Sequence, residues 1–90
     1  MATVLIPAPL RRYTNNTSRC SIEAENIYAV IDELARQFPA LKKHIVNPQG
    51  EIPSFINIFV DATDIRHLGN LDTQVKDTDL ISIVPAVAGG

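Results

Sequence analysis

Residues 26–39 of the chain, NIYAVIDELARQFP, decide its fold because they carry a clear helical pattern. Apolar side chains recur in this stretch at intervals of three and four residues, which is the spacing of one face of an α-helix. They are Ile27, Val30, Ile31, Leu34, Ala35 and Phe38. The side-chain oxygen of Asn26 is placed to cap the first turn, and Pro39 disfavours helical geometry at Phe38. The stretch therefore predicts one amphipathic helix between Asn26 and Pro39.

Two short strands are predicted before this helix. Residues 3–6 (TVLI) form a short, largely β-branched run, and Pro7 cannot donate to a central ladder, so the first strand is expected to end there. Residues 15–18 (NNTS) favour a turn, and residues 19–23 alternate polar and less polar positions. We therefore expect a hairpin in which Cys20 points into the core as a small buried thiol.

The segments after the helix predict a loop and two more long strands. Residues 41–45 are expected to add a short helical turn. Residues 47–53 (NPQGEIP) contain two prolines and one glycine, which indicates a surface loop within the same domain. Residues 55–60 (FINIFV) and 80–84 (LISIV) have strong strand patterns, and Pro85 is expected to stop the second of them.

The region between these two strands is less regular. Residues 61–64 (DATD) predict a turn into a short strand around residues 65–67. Residues 68–79 have no periodic pattern, and within them Leu71 and Val75 are available to fill the core.

The order of these elements predicts an α+β fold in two layers, a mixed sheet of four to five strands packed on one amphipathic helix. The first and last strands are the most apolar, so we expect them to pair at the centre of the sheet. The side chains expected beneath the helix are Val4, Ile6, Ile81 and Ile83.

The opposite face of the sheet is predicted to be open and half apolar. Its expected side chains, called the open face below, are Leu5, Phe59, Ser82 and Val84. An exposed apolar patch of this kind is a candidate surface for docking a partner protein.

Composition limits the chain to one small domain with few classes of partner. It has 90 residues, of which 46% are hydrophobic and 20% are charged, and its net charge is −2. A polyanion normally requires clustered Lys and Arg on one face, so nucleic acid is not an expected partner. We interpret the basic pairs Arg11–Arg12 and Lys42–Lys43 as solvated surface charge.

Cysteine usage and hydropathy favour the cytoplasm. Cys20 is the only cysteine, which excludes an internal disulfide and a thiolate zinc cage. The first residues lack the basic region of a signal peptide, and no stretch approaches the roughly 20 apolar residues of a membrane span. We therefore expect a cytoplasmic protein without a membrane partner.

The sequence contains no recognisable set of catalytic residues, so we expect the chain not to be an enzyme. His44 and His67 have no partner at metal-ligand or triad spacing. Turn chemistry accounts for the aspartates at positions 61, 64, 72, 77 and 79, so no metal site is predicted. A glycine-rich loop between a strand and a helix is absent, so any nucleotide is expected to bind to a partner.

Residues 86–90 (AVAGG) contain no charge and no bulky side chain. The sequence thus predicts a folded domain over residues 1–85 and an extended, mobile tail over residues 86–90 that ends in Gly-Gly.

Several motifs together identify a family that this chain resembles. They are Val-x-Ile-Pro at residues 4–7, Phe-x-Asn-Ile-aromatic-Val at residues 55–60, Asp-x-Asp-x-Ile-x-Ile-x-Pro at residues 77–85, and the terminal Gly-Gly. Over essentially its whole length the chain resembles the ubiquitin-like β-grasp sulfur carriers of the MoaD and ThiS type. The ending PAVAGG is most similar to carriers that feed cysteine biosynthesis. Small subunits of molybdopterin synthase more often have a second proline and a serine before the glycines.

The resemblance implies a function for the tail. In such carriers the terminal carboxylate, here that of Gly90, is adenylated by a ubiquitin-activating-type adenylyltransferase and sulfurtransferase that uses ATP and Mg²⁺, and is converted to a thiocarboxylate. The residues implied to thread into the partner are Gly89, Ala88, Val87 and Ala86. In the cysteine branch the further partners are a cysteine synthase, which holds the pyridoxal phosphate (PLP), and a JAB-type metallopeptidase. No cofactor is implied for this chain itself.

Other functions of the same fold stay open at this point. The chain could be the small subunit of molybdopterin synthase, or a ubiquitin-like modifier joined to lysines through Gly90. It could also be an interaction module in which the glycines have no role. One position departs from the family pattern, because Thr78 stands where the family usually has glycine. A positive φ at Thr78 would be strained.

Overall fold

The apolar segments on either side of the central helix form the strands of one mixed sheet. The computed structural model describes residues 1–85, so the predicted tail, residues 86–90, lies outside the described residues. The strands are β1 (Ala2–Leu5), β2 (Arg19–Ile22), β3 (Ile56–Val60), β4 (Thr63–Asp64) and β5 (Leu80–Pro85). The helices are α1 (Ile27–Gln37) and α2 (Pro39–Ile45), and three 3₁₀ segments cover Ala8–Tyr13, Ile65–His67 and Asn70–Asp72.

The strand order across the sheet is β2-β1-β5-β3-β4. β1 and β2 form the predicted antiparallel hairpin, in which Val4 lies opposite Cys20. β1 also pairs with β5, in parallel, with Val4 opposite Ile81, which confirms the predicted pairing of the first and last strands. Because these strands are parallel, both end at the same end of the sheet. We call this the tail end, since β5 leads there into residues 86–90.

Helix α1 covers one face of the sheet and has the predicted boundaries. Asn26 Oδ1 accepts a hydrogen bond from the Ala29 N–H at 2.8 Å, which is the geometry of an N-cap. The Phe38 N–H donates to the Leu34 carbonyl, and Pro39 then begins α2. The expected short turn at residues 41–45 is therefore a seven-residue helix. Proline is well tolerated in its first turn because the N–H there has no intrahelical acceptor.

The core lies between α1, α2 and the covered face of the sheet. Its fully buried side chains include the four predicted ones, Val4, Ile6, Ile81 and Ile83. Cys20 is buried, as expected, and Val75 and the half-buried Leu71 fill the core from the irregular region. Burial raises the pKa of the Cys20 thiol above its ordinary value.

The prediction of a strand around residues 65–67 is wrong. The strand β4 contains only Thr63 and Asp64, and Ile65–His67 is a 3₁₀ turn. Asp64 Oδ1 accepts a hydrogen bond from the Arg66 N–H at 2.8 Å, so the aspartate ends the strand by capping the turn. Ile65 then inserts into the core, where it is 3% exposed.

A 3₁₀ segment that the sequence did not predict follows β1. Residues 8–13 have no periodic pattern, but the fully buried Thr14 holds the end of the segment in place. Its hydroxyl donates to the Thr17 carbonyl at 2.8 Å. A second deviation is small, since β5 continues through Pro85, which lies opposite Ile56.

The turn at residues 76–79 accommodates Thr78 without strain. The Asp79 N–H donates to the Lys76 carbonyl at 3.0 Å, and Asp79 Oδ2 accepts from the Lys76 N–H at 2.8 Å. Positive φ occurs at Asn15, Asn16, Gly50, Asp61 and Asn70 among the described residues, and not at Thr78. The turn at this position does not require the glycine that the family usually has there.

Neither helix found in residues 1–85 is long and apolar enough to cross a membrane.

Candidate docking face and the base of the tail

The open face is built on three neighbouring strands. Leu5 of β1 lies opposite Ser82 of β5, and Ser82 lies opposite Phe59 of β3. These three side chains alternate with the buried ones along each strand, so they project from the face that α1 does not cover. The structure therefore places Leu5, Ser82 and Phe59 in one row, with the small serine between two large apolar side chains. Their role in docking stays a prediction.

Val84 connects this row to the base of the tail. It lies on β5 two residues after Ser82, opposite Asn57, and its side chain is 43% exposed. An exposed apolar side chain at this position is a candidate contact for a partner protein.

Phe55 is an apolar residue at the tail end that our sequence analysis did not assign to the open face. It immediately precedes β3 and is 55% exposed. The period of two that relates Phe59 to Asn57 also extends back to Phe55, so the alternation contained the information needed to find it.

Arg66 holds the backbone around Phe55 in place. Its guanidinium donates to the carbonyls of Pro53 and Ile56 at 3.2 and 2.7 Å, and also to Asn57 Oδ1. Asp64 Oδ2 lies 3.6 Å from the same guanidinium. The arginine thus fixes the start of β3, which pairs with the last residue of β5. Sequence patterns could not indicate this role, because two of the acceptors are main-chain carbonyls.

Several of the histidine and aspartate side chains make local structural contacts. The ring of His44 stacks on that of Tyr13, with centroids 3.9 Å apart and planes 20° from parallel. Asp61 Oδ1 accepts from the Leu80 N–H at 3.0 Å, which joins the end of β3 to the start of β5, whereas Asp64 and Asp79 accept within their own turns. Within residues 1–85 no three His, Cys, Asp or Glu side chains gather where a metal ion could bind. The expectation that the whole chain binds no metal stays a prediction.

Comparison with known proteins decides the family. The ThiS family matches residues 4–90. This chain belongs to the ThiS family. Sulfur carrier protein CysO of Mycobacterium tuberculosis is 36% identical to it over 90 residues, which cover 98% of this chain and 97% of that protein.

Two solved structures show the same fold as this ThiS-family chain. A chain in the crystal structure of the Amycolatopsis orientalis BexX/CysO complex is 33% identical and superposes with a TM-score of 0.92, with complete coverage of both chains. The solution structure of small archaeal modifier protein 1 from Methanosarcina acetivorans is 34% identical, with a TM-score of 0.87 and coverage of 99% of this chain and 95% of that one. The predicted ubiquitin-like β-grasp fold is confirmed.

The family match includes the predicted tail. It extends through Gly90, so the residues expected to enter a partner lie within the matched segment but outside the described residues. They are Ala86, Val87, Ala88, Gly89 and Gly90.

Proposed function

We propose that this chain is a sulfur carrier for cysteine biosynthesis and that it carries sulfur as a thiocarboxylate on Gly90. The observation that supports this most strongly is the full-length similarity to a sulfur carrier protein, at 36% identity. The family match that extends through Gly90 adds to it. The chain is then a protein substrate of partner enzymes and not itself an enzyme.

The chemistry explains why a glycine terminus is needed. A carboxylate is a poor acyl donor, so an oxygen of Gly90 first attacks the α-phosphorus of ATP and expels pyrophosphate. The product is a mixed anhydride between Gly90 and AMP. A sulfide sulfur then attacks its acyl carbon, AMP leaves, and Gly90 carries a thiocarboxylate. Glycine has no Cβ, so Gly89 and Gly90 can enter a narrow channel close to the nucleotide.

The partners supply the cofactors of this cycle. A ubiquitin-activating-type adenylyltransferase and sulfurtransferase holds ATP and Mg²⁺, and a cysteine synthase holds PLP. The thiocarboxylate sulfur adds to an aminoacrylate on that enzyme, and an S-to-N acyl shift leaves cysteine amide-linked to Gly90. A JAB-type metallopeptidase then releases the cysteine. We place the cycle in the cytoplasm, where a single unpaired cysteine stays reduced.

The open face is the proposed docking surface for these partners. Leu5, Phe59 and Ser82 form its central row, and Val84 connects that row to the tail. The carrier thus contributes an apolar contact surface and a reactive terminus, and the partner contributes the active site.

The mass of the intact protein tests the proposal. Incubation with an activating enzyme, Mg-ATP and a sulfide donor is expected to raise the mass by the difference between sulfur and oxygen. Deletion of Gly90 should abolish the gain, whereas deletion of the exposed Met1 at the other terminus should not. Subsequent addition of O-acetylserine or O-phosphoserine with a cysteine synthase should give a cysteine adduct. Failure of the wild-type chain to gain sulfur with any homologous activator would contradict the proposal.

A second candidate function is favoured by one comparison. Small archaeal modifier protein 1 from Methanosarcina acetivorans has the same fold at 34% identity, and its name is that of a protein modifier. If this chain is a modifier, incubation with the activator and a cell extract gives ladders on the lysines of other proteins. Conversion of a molybdopterin precursor in the same assay would instead support the third alternative, a molybdopterin synthase subunit.

A further inference from the structure

The carboxylates of this domain are concentrated at the end of the sheet opposite the tail end. Of the ten acidic side chains, six lie there: Glu23, Glu25, Asp61, Asp72, Asp77 and Asp79. Contacts with the strand termini fix this placement. The Thr3 N–H, at the start of β1, donates to the Asp79 carbonyl at 3.1 Å, and the Leu80 N–H, at the start of β5, donates to Asp61 Oδ1. The net charge of −2 therefore does not describe the charge of either end.

The tail end is basic. The 3₁₀ segment Ala8–Tyr13 follows β1, so it lies at the end of the sheet where the parallel strands β1 and β5 both end. The Tyr13–His44 stack holds α2 against this segment. On the other side, the first residue of β2 lies opposite Leu5, the last residue of β1. These contacts bring three elements to the tail end, and on them lie five basic residues that we call the basic cluster: Arg11, Arg12, Arg19, Lys42 and Lys43.

The charges of the basic cluster are not neutralised by the described part of the domain. Arg36 and Arg66 lie 3.0 and 3.6 Å from the carboxylates of Asp32 and Asp64. By contrast, none of the five cluster side chains comes within 4.0 Å of a carboxylate among residues 1–85. Four of the five residues are exposed, and Arg11 is half-buried, with its Nε donating to the Ile6 carbonyl. The described domain therefore presents unneutralised positive charge at the tail end.

We propose that the basic cluster docks onto an acidic protein surface, formed by carboxylates around the channel through which the partner receives residues 86–90. This inference rests on the proposed function. The cluster extends over three elements instead of converging on one cleft, so it fits a broad surface of carboxylates better than a single phosphate. A carrier with a net charge of −2 and an anionic terminus is repelled by an anionic nucleotide site. Attraction between the basic cluster and the carboxylates around the channel outweighs this repulsion at short range. It therefore orients the carrier with its tail end toward the channel.

Charge reversal at the two ends of the domain tests the proposal. The variants are Arg12→Glu and Lys43→Glu in the basic cluster, with Lys76→Glu at the opposite end as a control that changes the net charge equally. All three residues are exposed. We expect the first two variants to lower the association rate constant with the activating enzyme about threefold or more at about 20 mM salt. The loss should shrink at about 300 mM salt, because exposed charges are then screened. Lys76→Glu should retain the wild-type rate constant.

The outcomes separate this inference from the proposed function. Equal rate constants for all three variants would overturn the basic docking surface even if the wild-type chain gains sulfur. If the wild-type chain gains no sulfur, the proposed function fails. NMR titration with a hexaglutamate peptide then tests whether the basic cluster binds carboxylates, independently of sulfur transfer. Shifts confined to the basic cluster support it, and shifts that are absent or spread over the domain overturn it. Binding of a short single-stranded RNA more tightly than the enzyme would also overturn the assignment to an acidic protein.

Discussion

At the scale of single residues, Val84 is the side chain that best tests the open face. It is 43% exposed on β5, and Leu68, which lies outside the strands, is 46% exposed. Their similar exposure makes the two residues a matched pair, because a charge introduced at either one has a similar solvation cost. They differ in position, since only Val84 lies beside the base of the tail.

We expect Val84→Asp to slow sulfur loading about tenfold, because a charge in the middle of an apolar contact removes roughly 1–2 kcal/mol of binding free energy. Leu68→Asp should load at the wild-type rate. The measurement is the initial rate of mass gain at a subsaturating carrier concentration, with melting temperatures as the folding control. Equal rates for the two folded variants would show that docking does not use the open face.

Cys20 gives a residue-scale prediction about pH. Its pKa is raised by burial, so the folded state keeps its proton at pH values where the unfolded chain has lost it. The resulting stability is present below the ordinary thiol pKa of about 8.5 and is lost as pH rises through the higher pKa of the folded state. Urea unfolding between about pH 7 and 10 should therefore show a steeper fall in stability for the wild-type chain than for Cys20→Ala. Identical slopes would mean that the thiol titrates alike in both states.

At the scale of elements, helix α1 was predictable because two independent patterns agreed. The apolar spacing determined its buried face, and a capping residue and a proline determined its ends. β4 was mispredicted because Asp64 and the buried Ile65 form a 3₁₀ turn, which a two-residue period cannot distinguish from a short strand. The segment Ala8–Tyr13 was missed for a related reason, since it is held by the buried hydroxyl of Thr14 and not by a repeated pattern.

The N-cap of α1 gives an element-scale prediction. Asn26→Ala removes the acceptor for the Ala29 N–H and should lower the free energy of unfolding by about 1 kcal/mol. Asn26→Asp keeps an acceptor and adds a negative charge at the positive end of the helix, so it should be close to the wild type. Urea denaturation of the three proteins provides the comparison. Equal loss in both variants would show that Asn26 acts through something other than its side-chain acceptor.

At the scale of the whole molecule, the charge distribution is what the sequence could not show. The pairs Arg11–Arg12 and Lys42–Lys43 are far apart in the chain, so the sequence alone indicates only solvated surface charge. The parallel pairing of β1 with β5 and the Tyr13–His44 stack bring the elements that carry them to the tail end. The central pairing of β1 with β5 and the covered face were predictable, because the most apolar strands must pair beneath the apolar side of α1. The sequence also indicated the open face, although its row of Leu5, Ser82 and Phe59 required the strand register.

The location of the transferred sulfur tests the central claim most directly. Two groups could acquire sulfur, the carboxylate of Gly90 as a thiocarboxylate and the thiol of Cys20 as a persulfide, which a thiol reductant removes. We would load the wild-type chain with its activating enzyme, treat it with dithiothreitol and fragment the intact protein by mass spectrometry. The account predicts that the sulfur survives reduction and lies on the fragment that contains Gly90. Sulfur that is lost on reduction, or that lies on the fragment containing Cys20, would contradict it.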